Sequence, residues 1–202
     1  MSMRSIYPLA KRAMDVLASL GGLIVLSPVL VGCALAVRLD SPGPVLFRQA
    51  RVGRGGRPFQ LLKFRSMRHG AAGAAVTSAG DDRITGVGRM LRSSKLDELP
   101  QLLNVLRGEM SLVGPRPEVE RYVRMFPEAY QRILSVRPGI TDFAAIEYRD
   151  EERILAASGD PERAYVEQVL PAKIALYDKY LAERSFWTDL SLLARTILAV
   201  LR

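Results

Sequence analysis

Val16-Leu17-Ala18-Ser19-Leu20-Gly21-Gly22-Leu23-Ile24-Val25-Leu26-Ser27-Pro28-Val29-Leu30-Val31-Gly32-Cys33-Ala34-Leu35-Ala36-Val37 is a run of 22 residues without a charge, with Ser27-Pro28 near its centre. As one straight helix it would be about 33 Å long, enough to cross a bilayer core. Pro28 lacks a backbone donor and clashes with the preceding turn, so the helix should bend or break there. Ser27 is placed to satisfy a carbonyl freed by that bend. Each half is then too short to span alone. Both flanks are basic, with Arg4, Lys11 and Arg12 before the run and Arg38, Arg48 and Arg51 after it. A spanning helix usually carries its Lys/Arg excess on one side. Two basic flanks suit a segment that dips into the bilayer and returns. Residues 1–40 therefore read as a re-entrant membrane helix, with residues 41–202 on the cytoplasmic face. Three readings compete. Proline is tolerated in ordinary spanning helices. A buried core helix is the second, though the run is long for one. The third is a lipoprotein signal, with Leu30-Val31-Gly32-Cys33 as cleavage site and Lys11-Arg12 as charged region. Against it, the apolar run continues through Ala34 to Val37.

At 202 residues, one modest globular domain plus this segment is the natural count. The net charge of +8 calls for an anionic partner: acidic headgroups, nucleic acid or a phosphorylated substrate. Cys33 is the only cysteine, which excludes an internal disulfide and a cysteine-rich zinc site. His69 is the only histidine and argues against a Ser-His-Asp triad or a histidine metal site. Chemistry must come from carboxylates, Lys, Arg and hydroxyls, and any metal should be a hard one held by oxygen.

Ser41-Pro42-Gly43-Pro44 is a strong breaker that ends the apolar segment. Val45 to Gln49 and Pro58 to Phe64 are short extended stretches around the glycine-rich Val52 to Arg57, which predicts a β-hairpin. Those glycines could instead cradle a phosphate, although no Walker pattern follows. His69 to Asp82 is Gly/Ala-rich and reads as a mobile loop. Arg83 to Leu91 begins a helix or turn. Leu96 to Leu106 reads as an amphipathic helix with Leu96, Leu99, Leu102, Leu103 and Leu106 as its stripe and Gly108 as its stop. Val119 to Val136 reads as a helix interrupted near Pro127, followed by a turn at Arg137 to Thr141. Pro161 to Ala182 and Phe186 to Leu201 read as helices. The second carries Trp187 at its start, which suits either a membrane interface or a packed core. The fold class is α+β, mostly helical, with one small hairpin and interfacial amphipathic helices.

Asp97-Glu98 opens the Leu96–Leu106 helix. Asp97 could simply cap it, with Glu98 favoured by the helix dipole. Its company argues for more. Lys95, Arg89 and Arg92 lie upstream, and Lys63, Arg65 and Arg68 follow the hairpin. In Gly114-Pro115-Arg116-Pro117 a guanidinium sits between two prolines, which suits a defined anion site.

Leu96-Asp97-Glu98-Leu99-Pro100-Gln101 and the stretch from Asn104 through Pro117 resemble the signature of the bacterial sugar transferases, the monotopic polyprenol-phosphate phosphoglycosyl transferases. Ser41 to Pro44, Lys63-Phe64-Arg65-Ser66-Met67, Arg137 to Thr141 and the break at Ser27-Pro28 match further family blocks in the same order, from about Lys11 to Arg149. The resemblance implies transfer of a sugar-1-phosphate from a UDP-sugar to polyprenol (undecaprenyl) phosphate, with release of UMP. That is the first membrane step of surface polysaccharide or glycoprotein assembly. It implies Asp97 as nucleophile at the β-phosphorus, forming an aspartyl phosphosugar, and Glu98 as a ligand of Mg²⁺. It also implies Lys63, Arg92, Arg116 and Arg149 as substrate-binding residues. The implied location is the cytoplasmic face of the bacterial inner membrane, with membrane lipids and downstream glycosyltransferases as partners and no nucleic acid. The segment Asp142 to Tyr148 departs from the commoner Gly-Trp-Ala-Gln version, which leaves the sugar open. A non-enzymatic membrane adaptor for anionic lipid or nucleic acid is the competing class, and a membrane-tethered phosphotransferase with a soluble substrate is another. The adaptor leaves the Asp97-Glu98 pair and the Arg116 turn without a purpose, and stacking aromatics for nucleic acid are sparse.

Overall fold

The computed structural model describes residues 3–71, 77 and 80–200, with side chains described from residue 7. The loop expected from His69 to Asp82 lies in large part outside these residues. The elements in chain order are α1 (Met3–Val25), α2 (Ser27–Asp40), β1 (Leu46–Val52), β2 (Pro58–Phe64), α3 (Gly86–Ser93), a 3₁₀ turn (Leu96–Glu98), α4 (Gln101–Arg107) and β3 (Ser111–Val113). They continue with α5 (Glu120–Met125), α6 (Pro127–Ile133), β4 (Gly139–Thr141), α7 (Phe143–Glu147), α8 (Glu151–Ala156), α9 (Pro161–Ala164), α10 (Leu170–Glu183) and α11 (Phe186–Val200). A π-helical turn over Tyr165–Val169 joins α9 to α10. The α+β, mostly helical class holds.

The apolar run folds as two helices bent by 64° at Ser27-Pro28. Pro28 has no N–H to give the Ile24 carbonyl, and the Ser27 hydroxyl donates to that carbonyl instead at 2.8 Å. Among the described residues no single helix is long and apolar enough to cross a membrane, and the bent pair reaches that length and composition only together.

Lys11, Arg12, Arg38 and Arg51 of the basic flanks are engaged within the protein. Lys11 pairs with the fully buried Asp189 of α11 at 2.7 Å. Tyr7 and Tyr180 also donate to Asp189, each at 2.9 Å. Arg12 donates to the Val105 and Leu106 carbonyls at the C-terminal end of α4, where a cation also complements the helix dipole. Asp15, buried on α1, accepts from Leu112 N at 3.0 Å and from Ser111 Oγ at 3.1 Å. These contacts fix α1 against α4, β3 and α11. On the other half, Cys33 and Val37 of α2 pack with Phe64 and Leu91. Arg65, grouped with the site cations in the sequence, instead donates to carbonyls of Val37, Pro42 and Ser41 and closes the end of α2.

β1 and β2 form the expected antiparallel hairpin, pairing Leu46 with Phe64 and Val52 with Pro58. Its turn does not cradle an anion. The amides of Gly53, Gly55 and Gly56 donate to Arg57, Leu134 and Gly53 carbonyls respectively. A second sheet went unread in the sequence: β3 and β4 pair in parallel, with Ser111 opposite Gly139 and Val113 opposite Thr141. Three residues per strand carry too little alternation to register as a pattern. The pairing depends on glycine, because a Cβ on Gly139 would lie 2.1 Å from Gly114 N. Backbone therefore meets backbone where the Gly114–Pro117 and Arg137–Thr141 stretches cross.

The Leu96–Leu106 helix is corrected in the same way. A 3₁₀ turn covers Leu96–Glu98 and the α-helix starts at Gln101, so the phase of the expected leucine stripe is lost. The buried face is Gln101, Asn104 and Val105. Asn104 Oδ1 accepts from Leu62 N at 3.0 Å, and its Nδ2 donates to Gln60 O at 2.8 Å and Glu109 Oε2 at 2.7 Å, pinning α4 to β2.

Candidate active site

A cleft of about 710 Å³ is lined by Lys63, Arg92, Asp97, Glu98, Arg116 and Arg149 together. Each comes from a different local device. Lys63 sits near the end of β2. Arg92 lies in the last turn of α3, a helix that packs so closely that a Cβ on Gly88 would meet Ser66 O at 2.0 Å. Asp97 and Glu98 ride the 3₁₀ turn, reached through Lys95 at φ 57°, the only non-glycine residue with positive φ among those described. That left-handed step costs an ordinary side chain roughly 1–2 kcal/mol, and it redirects the chain between α3 and the turn. Arg116 follows β3.

Asp97 does not cap a helix. Pro100 stands at the N-cap of α4 with no side-chain cap bond. Asp97 is 5% exposed, and its Oδ1 has no hydrogen-bond partner among the described residues. A buried acceptor without a partner ordinarily costs about 1–3 kcal/mol, so the fold retains this one against a stability penalty. Burial pushes the Asp97 carboxyl above the usual carboxylate range; Glu98 adds to the rise, while Lys63, Arg92 and Arg116 oppose it.

Glu98 is the electrostatic opposite. Burial alone would raise its pKa, but Arg116 and Lys63 outweigh that and hold it well below the usual range. Lys63 Nζ donates to Oε1 at 2.9 Å. Arg116 grips both oxygens, Nη2 to Oε1 at 2.5 Å and Nη1 to Oε2 at 3.2 Å, the fork geometry guanidinium favours. Burial lowers the Lys63 ammonium despite Glu98.

Arg92 is held by Glu152 of α8, with Nε to Oε1 at 3.0 Å, and by Ser66 Oγ at 3.2 Å. Arg149 lines the cleft, yet its guanidinium donates to the Ala199 carbonyl at the end of α11. Lys95 Nζ reaches the Arg149 carbonyl at 3.2 Å. The apolar wall comes from Leu102, Leu112, Ile140, Leu193, Ile197 and Val200.

Several residues of the site carry no motif that would have marked them. Glu152 is one. Behind Arg116 lies a buried network in which Glu118 accepts from Tyr165 OH at 2.5 Å and from Arg51 at 3.2 Å. Lys173 pairs with Glu151 at 2.8 Å beside it. Asp142, fully buried, accepts from Ala145 N at 2.6 Å and Arg116 N at 3.3 Å. Burial pushes its carboxyl up to about 6, against the pull of the Ala145 amide, Lys173 and Arg116. The adjacency of Glu118 to the Arg116 turn was the one available signal for the network.

Among the described residues no group of three or more His, Cys, Asp or Glu is arranged to hold a metal by itself. The paired carboxylates do fit Mg²⁺, which commonly takes one or two carboxylates and completes its shell with water and substrate phosphates. The spare lone pairs of Glu98, which lines the same cleft, are the atoms available.

The family profile for bacterial sugar transferases matches residues 6–202. The chain is 43% identical over 199 residues to the UDP-glucose:undecaprenyl-phosphate glucose-1-phosphate transferase of Caulobacter vibrioides, covering 96% of this chain and 70% of that protein. It is 38% identical over 203 residues to the UDP-N-acetylgalactosamine-undecaprenyl-phosphate N-acetylgalactosaminephosphotransferase of Aeromonas hydrophila, covering 97% of this chain and 44% of that one. It is also 41% identical over 196 residues to the UDP-glucose:undecaprenyl-phosphate glucose-1-phosphate transferase of Escherichia coli, covering 94% and 39%. The chain thus spans less than half the length of the last two. With nearly its whole length matched, this chain belongs to the bacterial sugar transferase family.

Proposed function

We propose that this chain transfers a sugar-1-phosphate from a UDP-sugar to undecaprenyl phosphate, releasing UMP, through a covalent intermediate on Asp97. The observation that carries the reading is Asp97 itself: a buried carboxylate with one oxygen unpartnered among the described residues, in a cleft it shares with Lys63, Arg92 and Arg116. A capping or structural aspartate would spend that oxygen on a donor.

In the first step the Asp97 carboxylate attacks the β-phosphorus of the donor. An O–P bond forms to Asp97, the bond from phosphorus to the bridging oxygen breaks, and UMP takes that electron pair. In the second step a phosphate oxygen of the lipid attacks the same phosphorus, and the Asp97 carboxylate leaves. Both substrates are anions, so positioning and cationic stabilisation supply most of the catalysis. Lys63 and Arg116 present their charge with Glu98 between them, and Arg92 presents its charge from the side of α3. Glu98 would hold Mg²⁺, which when bound neutralises charge on the diphosphate. The Leu193, Ile197 and Val200 wall suits the lipid side of the cleft. The bent α1–α2 pair, as a re-entrant helix on the cytoplasmic face, would hold the site at the depth of the acceptor phosphate.

The test needs no lipid. Enzyme mixed with a UDP-sugar panel that includes glucose and N-acetylgalactosamine should release UMP, up to about one equivalent per site. It should also carry one phosphosugar mass on the Asp97 peptide, and added polyprenol phosphate should discharge that label. Asp97→Asn should lose both steps. Because Asp97 reacts only when ionised and its carboxyl is raised, adduct formation should fall, as pH drops, at a pH above the ordinary aspartate range. UMP release that requires the lipid, with no adduct trapped, would mean direct transfer and a different role for Asp97.

A further inference from the structure

Beyond the last registered pair Val113–Thr141, Asp142 comes directly after β4, and Arg116 follows β3 after Gly114-Pro115. Because the strands run parallel, both leave the sheet at the same end. Gly114 N donates to Thr141 O at 3.0 Å and ties the two exits, while Gly139 N, at the start of β4, donates to Pro115 O at 3.0 Å, so the Pro115–Arg116 stretch is bound backbone to backbone along β4. Asp142 then divides its carboxylate. Oδ1 caps α7 through Ala145 N at 2.6 Å, and Oδ2 takes the backbone N–H of Arg116 at 3.3 Å. On the far side, Arg51 Nη1 donates to the Pro117 carbonyl at 3.0 Å and to Glu118 at 3.2 Å. The Arg116 backbone is therefore held on both sides, between two prolines, while its guanidinium faces Glu98 in the cleft.

From this geometry we infer that Asp142 is a positioning residue, which aims the Arg116 guanidinium at the donor diphosphate by fixing the Arg116 backbone while capping α7. The inference rests on the proposed role of Arg116 in stabilising charge on the reacting donor diphosphate. A helix cap needs one acceptor oxygen, and serine supplies that as well as aspartate. The full burial of Asp142 and its second, separate bond are what a cap alone does not require.

Two substitutions separate the jobs. Asp142→Asn keeps one acceptor for Ala145 N and turns an amide NH₂ toward Arg116 N. Asp142→Ser keeps a cap oxygen and is too short to reach Arg116. Single-turnover formation of the phosphosugar adduct, with its KM for UDP-sugar, is measured for each variant alone and combined with Arg116→Lys, alongside thermal melts. Each variant should slow adduct formation on the order of tenfold, with KM shifted less than about twofold; both melts should fall, because the Arg116 N–H loses its acceptor, but not in proportion to the loss of rate across the two variants. In the Arg116→Lys background the same substitution should cost less than about twofold, since the group it aims is already displaced. An equal loss in both backgrounds, or a loss that tracks the melting temperature across the two variants, would overturn the inference and leave Asp142 a cap. A wild-type enzyme that forms no adduct with any UDP-sugar would instead strike at the proposed function.

Discussion

Every cation that faces Asp97 already has a carboxylate partner in the protein. Glu98 occupies Lys63 and Arg116, and Glu152 occupies Arg92. On the proposed mechanism the donor diphosphate must share or displace these partners. Glu98 is well buried and gripped by both neighbours, so it remains part of the site when substrate arrives. Glu152 is different. Its side chain is 39% exposed, and α8 is a short helix at the edge of the cleft. An ion pair this exposed contributes only about 0.2–1 kcal/mol, so a diphosphate can take Arg92 from it at small cost. Removing the competitor should help the donor: Glu152→Gln should lower KM for the UDP-sugar by up to about five-fold, the equivalent of the upper end of that energy, with kcat little changed. Initial-rate kinetics at low ionic strength checks this, because screening weakens the effect. An increase in KM would make Glu152 a donor-binding group.

The two halves of the apolar run illustrate how an element is set by two adjacent residues. Pro28 withholds the donor and Ser27 repairs the freed Ile24 carbonyl, so the 64° bend keeps its backbone satisfied. Replacing both with alanine restores a continuous ladder and removes a helix-interior penalty of roughly 3 kcal/mol. The straightened helix is then long enough to span. Single cysteines introduced near residues 5 and 45 in a Cys33→Ser background should be labelled from the same side in the wild type and from opposite sides in the double alanine variant. Opposite-side labelling in the wild type would show a spanning helix. This bend was legible because proline acts through its own chemistry, independent of distant partners. The hairpin was legible for the same reason, since Gly55 and Gly56 adopt positive φ locally. The β3–β4 pair, the 3₁₀ turn at Asp97 and the Glu118 network were not. Each depends on contacts between segments far apart in the chain, and strands of three residues carry no periodic signal. The site was half legible. The order of motifs gathered Lys63, Arg92, Asp97, Glu98 and Arg116. That Arg149 bonds the α11 backbone, that Arg65 closes α2 and that Glu152 holds Arg92 are facts of packing. Asp142 was visible only as a departure in the segment after Thr141, with no hint that Arg116 was its partner.

At the scale of the whole molecule, Asp189 joins the two apolar helices that leave hydrophobic surface uncovered. It receives Lys11 and Tyr7 from α1 and Tyr180 from α10, and it is itself on α11. Leu17, Ile24, Val25, Leu35 and Leu39 project outward from α1 and α2, at 59–85% exposure. Trp187, Leu190, Ile197 and Leu198 project from α11, while Leu192 on its other face is buried in the core. Helix α11 is thus apolar on two faces, one for the core and one unoccupied by protein. Exposed apolar surface of this kind is costly in water, about 25 cal/mol per Å², and its natural complement is lipid. Trp favours the headgroup level, where its ring is amphipathic. If α1–α2 enters the bilayer and α11 lies along its surface, Trp187 should sit shallow. Trp187 is the only tryptophan in the chain, so its fluorescence reports one position. On anionic vesicles the emission should shift to the blue, and lipids brominated near the headgroup should quench it more strongly than lipids brominated near the chain terminus. Asp189→Asn should weaken the tie to α1 by loosening the Lys11 pair, broadening the depth profile while leaving vesicle binding in place. Emission unchanged by vesicles would remove α11 from the interface and leave α1–α2 as the sole lipid contact.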